Sequence, residues 1–146
     1  MPEFSRHATL EWSGEAQPHP ARVRAGSAAF EVPASGPRLA GEPAGVTTPE
    51  ELLAASHAIC FGIGLRSLIA KEGGRAKRVE VTATITADKD AEGIRIRSSR
   101  LEAVVQGLEG LDVARLPEVA RATEERCTIS NAIRAAVAIS VSVRAT

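Results

Sequence analysis

The spacing of apolar and polar residues changes several times along the chain, and each change marks an expected element. Lys77 to Ala87 alternates, with Val79, Val81, Ala83, Ile85 and Ala87 on one face and Arg78, Glu80, Thr82, Thr84 and Thr86 on the other. Such a period belongs to a strand covered on one side. Asp88 to Gly93 supplies a polar turn, and Ile94 to Gln106 begins with the same alternation, so the two runs form a hairpin. Earlier in the chain, Arg6 to Gly14 and Arg22 to Pro33 have strand-like composition and are separated by a loop from Glu15 to Pro20. Ala34 to Thr47, with Gly36, Pro37, Gly41, Pro43 and Gly45, reads as a long loop, a feature that is often functional in compact domains.

A different period starts at Thr48-Pro49-Glu50-Glu51. Thr48 suits a helix cap, Pro49 the first helical position, and Glu51 the carboxylate of a capping box. The helix should run to about Glu72, where Gly73-Gly74 stops it. Between Leu52 and Ala70 its only charged residue is Arg66, and apolar and small residues go all the way round, so burial on most sides is expected. Leu116 to Arg126 reads as a short helix with Pro117 near its start and Glu118 in the first turn. Ser130 is a candidate cap for another short helix through Arg134, and Val137 to Val143 is a last alternating strand.

Composition adds limits. At 146 residues the chain suits one domain, 1–146, able to bury a real core. With only 3% aromatics and no Tyr, Ala, Val, Ile and Leu must fill that core. Lys plus Arg equals Asp plus Glu, at 18 each, which leaves no global field for nucleic acid or an anionic membrane. The first residues lack the pattern of a secretory signal, and no uncharged apolar run of spanning length occurs, so a cytoplasmic protein with no membrane partner is expected.

Two cysteines and one histidine are the candidates for chemistry. Cys60 sits about 18 Å along the helix from Thr48, beyond reach of the charge at that helix end, so a reactive Cys60 needs a cation from elsewhere. Arg38 in the preceding loop is one candidate, with Arg22 and Arg24 as alternatives. Cys127 lies at the end of the helix that starts near Pro117. His57, three residues before Cys60, shares its helix face, which raises hydrolysis by a Cys/His couple as a reading. Two buried, inert thiols are the bland one. No zinc-finger spacing, phosphate-binding glycine motif or nucleophile elbow is present. Taken alone, two distant cysteines specify no enzyme.

The stretch Thr48-Pro-Glu-Glu-Leu-Leu-Ala-Ala-Ser-His-Ala-Ile-Cys-Phe61 closely resembles the central-helix signature of the OsmC/Ohr family of thiol peroxidases. The similarity extends to Trp12-Ser-Gly14, Arg38, the Val79 to Ile96 hairpin and Cys127-Thr-Ile-Ser130, although Thr128 stands where the family usually has Pro. The resemblance implies an α+β fold of antiparallel sheet strands packed around a long buried central helix, working as an intertwined homodimer. It implies reduction of organic hydroperoxides to alcohols, with Cys60 as the attacking thiol, Cys127 as the resolving thiol, and Glu50 holding an arginine, Arg38, over the thiolate. The implied partners are a hydroperoxide substrate and a dithiol reductant of lipoyl or thioredoxin type, with no cofactor or metal. Glu50 and Cys60 lie about 15 Å apart along one helix, so an active site shared between two chains is expected. A non-catalytic binding or structural protein is the competing reading, because a fold does not fix a function.

Overall fold

The computed structural model describes residues 2–12, 21–35 and 45–146, which group into two compact units, Met1–Leu52 and Leu53–Thr146. In the first, β1 (Ala8–Glu11), β2 (Ala21–Ala25) and β3 (Glu31–Ala34) form an antiparallel sheet in the order β1-β2-β3. Arg22 to Pro33, expected as one strand, is therefore a hairpin. Its turn follows Gly26, with Ala28 at φ 62° and Ala25 N–H donating to the Phe30 carbonyl at 3.0 Å. A Cβ at Gly26 would lie 2.5 Å from the His7 ring, which would have to move aside. Thr47 then bridges to Ala34 and leads into the central helix, α1 (Pro49–Lys71).

The start of α1 follows from its capping residues. Glu51 N–H donates to Thr48 Oγ1 at 3.2 Å, the cap the sequence offers. The Glu51 carboxylate takes a different partner from the one a capping box provides, accepting from Thr47 Oγ1 at 2.8 Å. At the other end Gly73 adopts φ 87°, the left-handed conformation that ends helices.

In the second unit, β4 (Arg78–Asp90), β5 (Gly93–Gln106) and β6 (Ala138–Ala145) make a sheet in the order β4-β5-β6. The β4–β5 turn is tighter than Asp88 to Gly93. Pairing runs on to Asp90↔Gly93, and the Asp90 carboxylate accepts the N–H groups of Glu92 and Gly93 at 2.8 and 3.1 Å. The last strand departs from the antiparallel expectation, since β6 runs parallel to β5. This is possible because α2 (Leu116–Arg126) and α3 (Thr128–Ile133) carry the chain back between the two strands.

Register explains the core. Val79–Val105–Ala145, Val81–Ala103–Val143 and Ala83–Leu101–Val141 are rows across the three strands, all packed into or against one apolar cluster. The helices add Phe61, Leu65 and Ile69 from α1, with Leu116, Val119 and Ala120 from α2. In this single chain α1 buries one stripe, His57, Phe61, Leu65 and Ile69, and not most of its sides; Ile59 and Ile63 are 62% and 65% exposed. By length and composition α1 also meets the requirement for a membrane span, but its buried stripe and its Arg66 are those of a core helix.

Candidate functional site

The fourth row of the sheet changes in character. Ile85 and Ile139 flank Ser99, an inward-facing hydroxyl with no exposure. Opposite it, one turn before Phe61, the apolar stripe of α1 begins with His57, also fully buried. The two meet: His57 Nδ1 lies 2.6 Å from Ser99 Oγ, and Nε2 lies 2.8 Å from Ser130 Oγ of α3. Desolvation pushes the His57 pKa below its ordinary value, partly opposed by the Glu124 carboxylate, so the ring is neutral near pH 7. Glu124 Oε1 is in turn 2.8 Å from Arg134 Nη2.

A second face of α1 brings in the thiols. A Cβ on Gly64 would sit 3.1 Å from Thr123 Cγ2, so α1 and α2 approach closely there. Cys60 is one turn before Gly64, and Cys127 is one turn after Thr123, at the residue that ends α2 and caps α3. The close approach therefore brings the two thiols together, each in the other's electrostatic field and both reduced. They differ in access. Cys60 is half-buried, while Cys127 is 4% exposed.

Their environments also push the two pKa values apart. Burial raises Cys60, but the Cys127 thiol and the backbone N–H groups of Ile129 and Thr128 outweigh it, and the net shift is downward. Burial raises Cys127, contact with Cys60 raises it further, and the net shift is upward despite the Ser130 N–H and hydroxyl. Cys60 is thus the accessible thiol favoured as thiolate, and Cys127 the enclosed thiol that keeps its proton.

The other expected site residues belong to the first unit or lie outside the described residues. Glu50, in the first unit, has a buried Oε2 with no hydrogen-bond partner among the described residues. Arg38 lies outside the described residues. Arg22 pairs with Glu31 at 3.5 Å within the first sheet, and Arg24 is its neighbour on the same strand. Among the described residues the downward shift of Cys60 comes from the Cys127 thiol first and then from the amides of Ile129 and Thr128. A Cys60/His57 hydrolytic couple is not formed, because serine hydroxyls occupy both ring nitrogens.

Sequence reasoning missed Ser99 and gave Ser130 the wrong place. Ser130 is not a cap but lies inside α3, fully buried on His57, while Cys127 takes the cap position. Signals for both existed. Ser99 is two residues before Leu101 on the inward face of β5, and Ser130 is three residues after Cys127.

The chain is thus an α+β protein with two neighbouring reduced thiols of unequal access. Its lineage is specific: the chain belongs to the OsmC-like protein family, whose model matches residues 41–142. It is 27% identical over 93 residues to peroxiredoxin OsmC of Escherichia coli, an alignment spanning 64% of each chain. Among solved structures it is similar to an organic hydroperoxide resistance protein OsmC from Legionella pneumophila, with TM-score 0.78, 24% identity and 98% of each chain covered. An organic hydroperoxide resistance protein from Elizabethkingia anophelis gives TM-score 0.80 at 20% identity, with 99% of each chain covered. These structural likenesses carry the α+β fold.

Proposed function

We propose that this protein is a thiol-dependent peroxidase that reduces organic, alkyl or lipid hydroperoxides to alcohols. The carrying observation is that an accessible, acidified Cys60 neighbours an enclosed, protonated Cys127. The names of its relatives, a peroxiredoxin and organic hydroperoxide resistance proteins, point the same way.

The Cys60 thiolate attacks one peroxide oxygen, the O–O bond breaks, and the alkoxide leaves with a proton as the alcohol. Cys60 is then a sulfenic acid. Cys127 attacks the Cys60 sulfur, the S–O bond breaks, and a Cys60–Cys127 disulfide and water result. An external dithiol of lipoyl or thioredoxin type reopens the disulfide by exchange. Arg38, held by Glu50, completes the site over the thiolate, with Arg22 or Arg24 as alternatives. The working form is an intertwined cytoplasmic homodimer in which Glu50 of one subunit serves Cys60 of the other.

One equivalent of an organic hydroperoxide should convert the protein to a species lighter by two hydrogens in intact mass spectrometry. Cys60→Ser should abolish this reaction, and Cys127→Ser should stop at an oxygen adduct that a sulfenic acid reagent traps. Two thiols that stay free under this treatment would refute the reading.

A further inference from the structure

Two cations are left over once the ion pairs at the ends of α1 and α2 are assigned. Glu72, beside Lys71, pairs with Arg115 at 2.8 Å, and Glu125, beside Arg126, pairs with Arg121 at 3.4 Å. Lys71 and Arg126 themselves have no acidic partner among the described residues. Both line one cleft of about 180 Å³ between the two helices, together with Gly64, Ser67, Leu68 and Thr123. A cation near a helix C-terminus is common, because it faces the negative end of the helix. Two such cations from different helices in one cleft need a further reason. The helices run in opposite senses, since Gly64 lies opposite Thr123 and Glu72 pairs with Arg115. Helical side chains lean toward their own N-terminus, so Lys71 leans back toward Ser67 while Arg126 leans back toward Thr123, and the two charges converge.

The cleft has a fixed place relative to the thiols. Cys60, Gly64, Ser67 and Lys71 follow one another at spacings of four, three and four, which is one face of a helix. Ser67 is therefore about 10 Å along the axis from Cys60. Between them Gly64 offers no side chain to block the way, and half-buried Leu68 supplies an apolar wall.

We propose that Ser67, Lys71 and Arg126 form a carboxylate subsite that anchors the far end of a chain whose reactive end meets Cys60. The proposal rests on the peroxidase reading for that reactive end, a hydroperoxide arriving at the thiolate or a dithiol arriving at the disulfide. A guanidinium presents paired N–H donors that match a carboxylate, an ammonium adds a compact charge, and the serine hydroxyl is a third donor. The cleft has room for the head group and a few methylenes, and the rest of the chain follows the helix face past Gly64. Carbon–carbon bonds of about 1.5 Å advance roughly 1.3 Å each in an extended chain, so about eight bonds span the distance to Cys60.

Calorimetry with octanoate and octanamide tests the subsite without any redox step. The native protein should bind octanoate in preference to octanamide, and less tightly as ionic strength rises from about 0.01 to 1 M. Lys71→Gln and Arg126→Gln should each weaken octanoate roughly fivefold, the low end for a charged hydrogen bond in an open cleft. Arg126→Lys, which keeps the charge, should recover part of that loss. Both positions are exposed, so these substitutions spare the core. Single-turnover kinetics then identify the reactant that carries the carboxylate. One arm compares a straight-chain acid bearing its hydroperoxide at about the ninth carbon with its methyl ester. The other compares dihydrolipoate with dihydrolipoamide on the disulfide form. In the arm that uses the subsite, the ratio of acid to neutral rate should fall about fivefold in both variants. Equal binding of octanoate and octanamide overturns the subsite, as does a ratio that the variants leave unchanged in both arms. A native protein that binds octanoate through these residues but consumes no hydroperoxide overturns the peroxidase reading instead and leaves the subsite standing.

Discussion

At the scale of single residues, His57 shows how a buried polar group ties stability to pH. Its folded pKa lies below the ordinary value of 6.5, because desolvation of the ring outweighs the pull of Glu124. The unfolded chain therefore takes up this proton first as pH falls. The stability contributed by the neutral ring is complete above about pH 6.5 and is lost as pH falls through the folded pKa. Urea unfolding across that window should show a decline that His57→Gln removes in part, and an unchanged slope in the variant would contradict the assignment. Residue types at this scale were legible in advance. Cys60 and Cys127 stood out as the only thiols, and the resemblance paired them. The role of His57 was not legible, because its sequence neighbour Cys60 is not its spatial partner. Its partners come from β5 and α3, 42 and 73 residues away.

At the scale of elements, the site depends on how closely α2 approaches α1. Gly64 makes room, with Thr123 directly opposite, and the same crossing aligns Cys60 with Cys127 one turn further on. Gly64→Val should press against Thr123 and cost about 1–3 kcal/mol, the usual range for overpacking. Disulfide closure should slow along with it, measured by denaturation and by single-turnover mass spectrometry; unchanged stability and closure would show that the approach is not set by this glycine. Element boundaries were readable where caps and periods are strong. Leu116 to Arg126 is the helix expected, and α1 begins and ends at its Thr-Pro and Gly-Gly signals. They were not readable at Arg22 to Pro33, where β-type composition continues through a turn made by Gly26 and Ala28.

At the scale of the whole molecule, the apolar face that a single chain leaves open argues for self-association. Ile59 and Ile63 are the exposed remainder of a helix that is apolar on all sides, and a second copy would cover them. Sedimentation should give a dimer, and Ile63→Asp should weaken it. Mixed refolding of Glu50→Ala with Cys60→Ser should restore activity if each site draws on two chains. A monomer, or no recovery on mixing, would count against a shared site.

The periods, the caps and the resemblance are legible along the chain, and with them the α+β class, the helix that carries Cys60 and the family. Those features are local, or are carried by a contiguous stretch from Thr48 to Phe61. Three-dimensional packing was needed to show that β6 runs parallel to β5, that Ser99 faces inward against His57, and that the Cys127 thiol and the amides at the start of α3 together shift Cys60 downward. Each of these depends on strand register and helix approach between segments far apart in the chain, which no local pattern encodes.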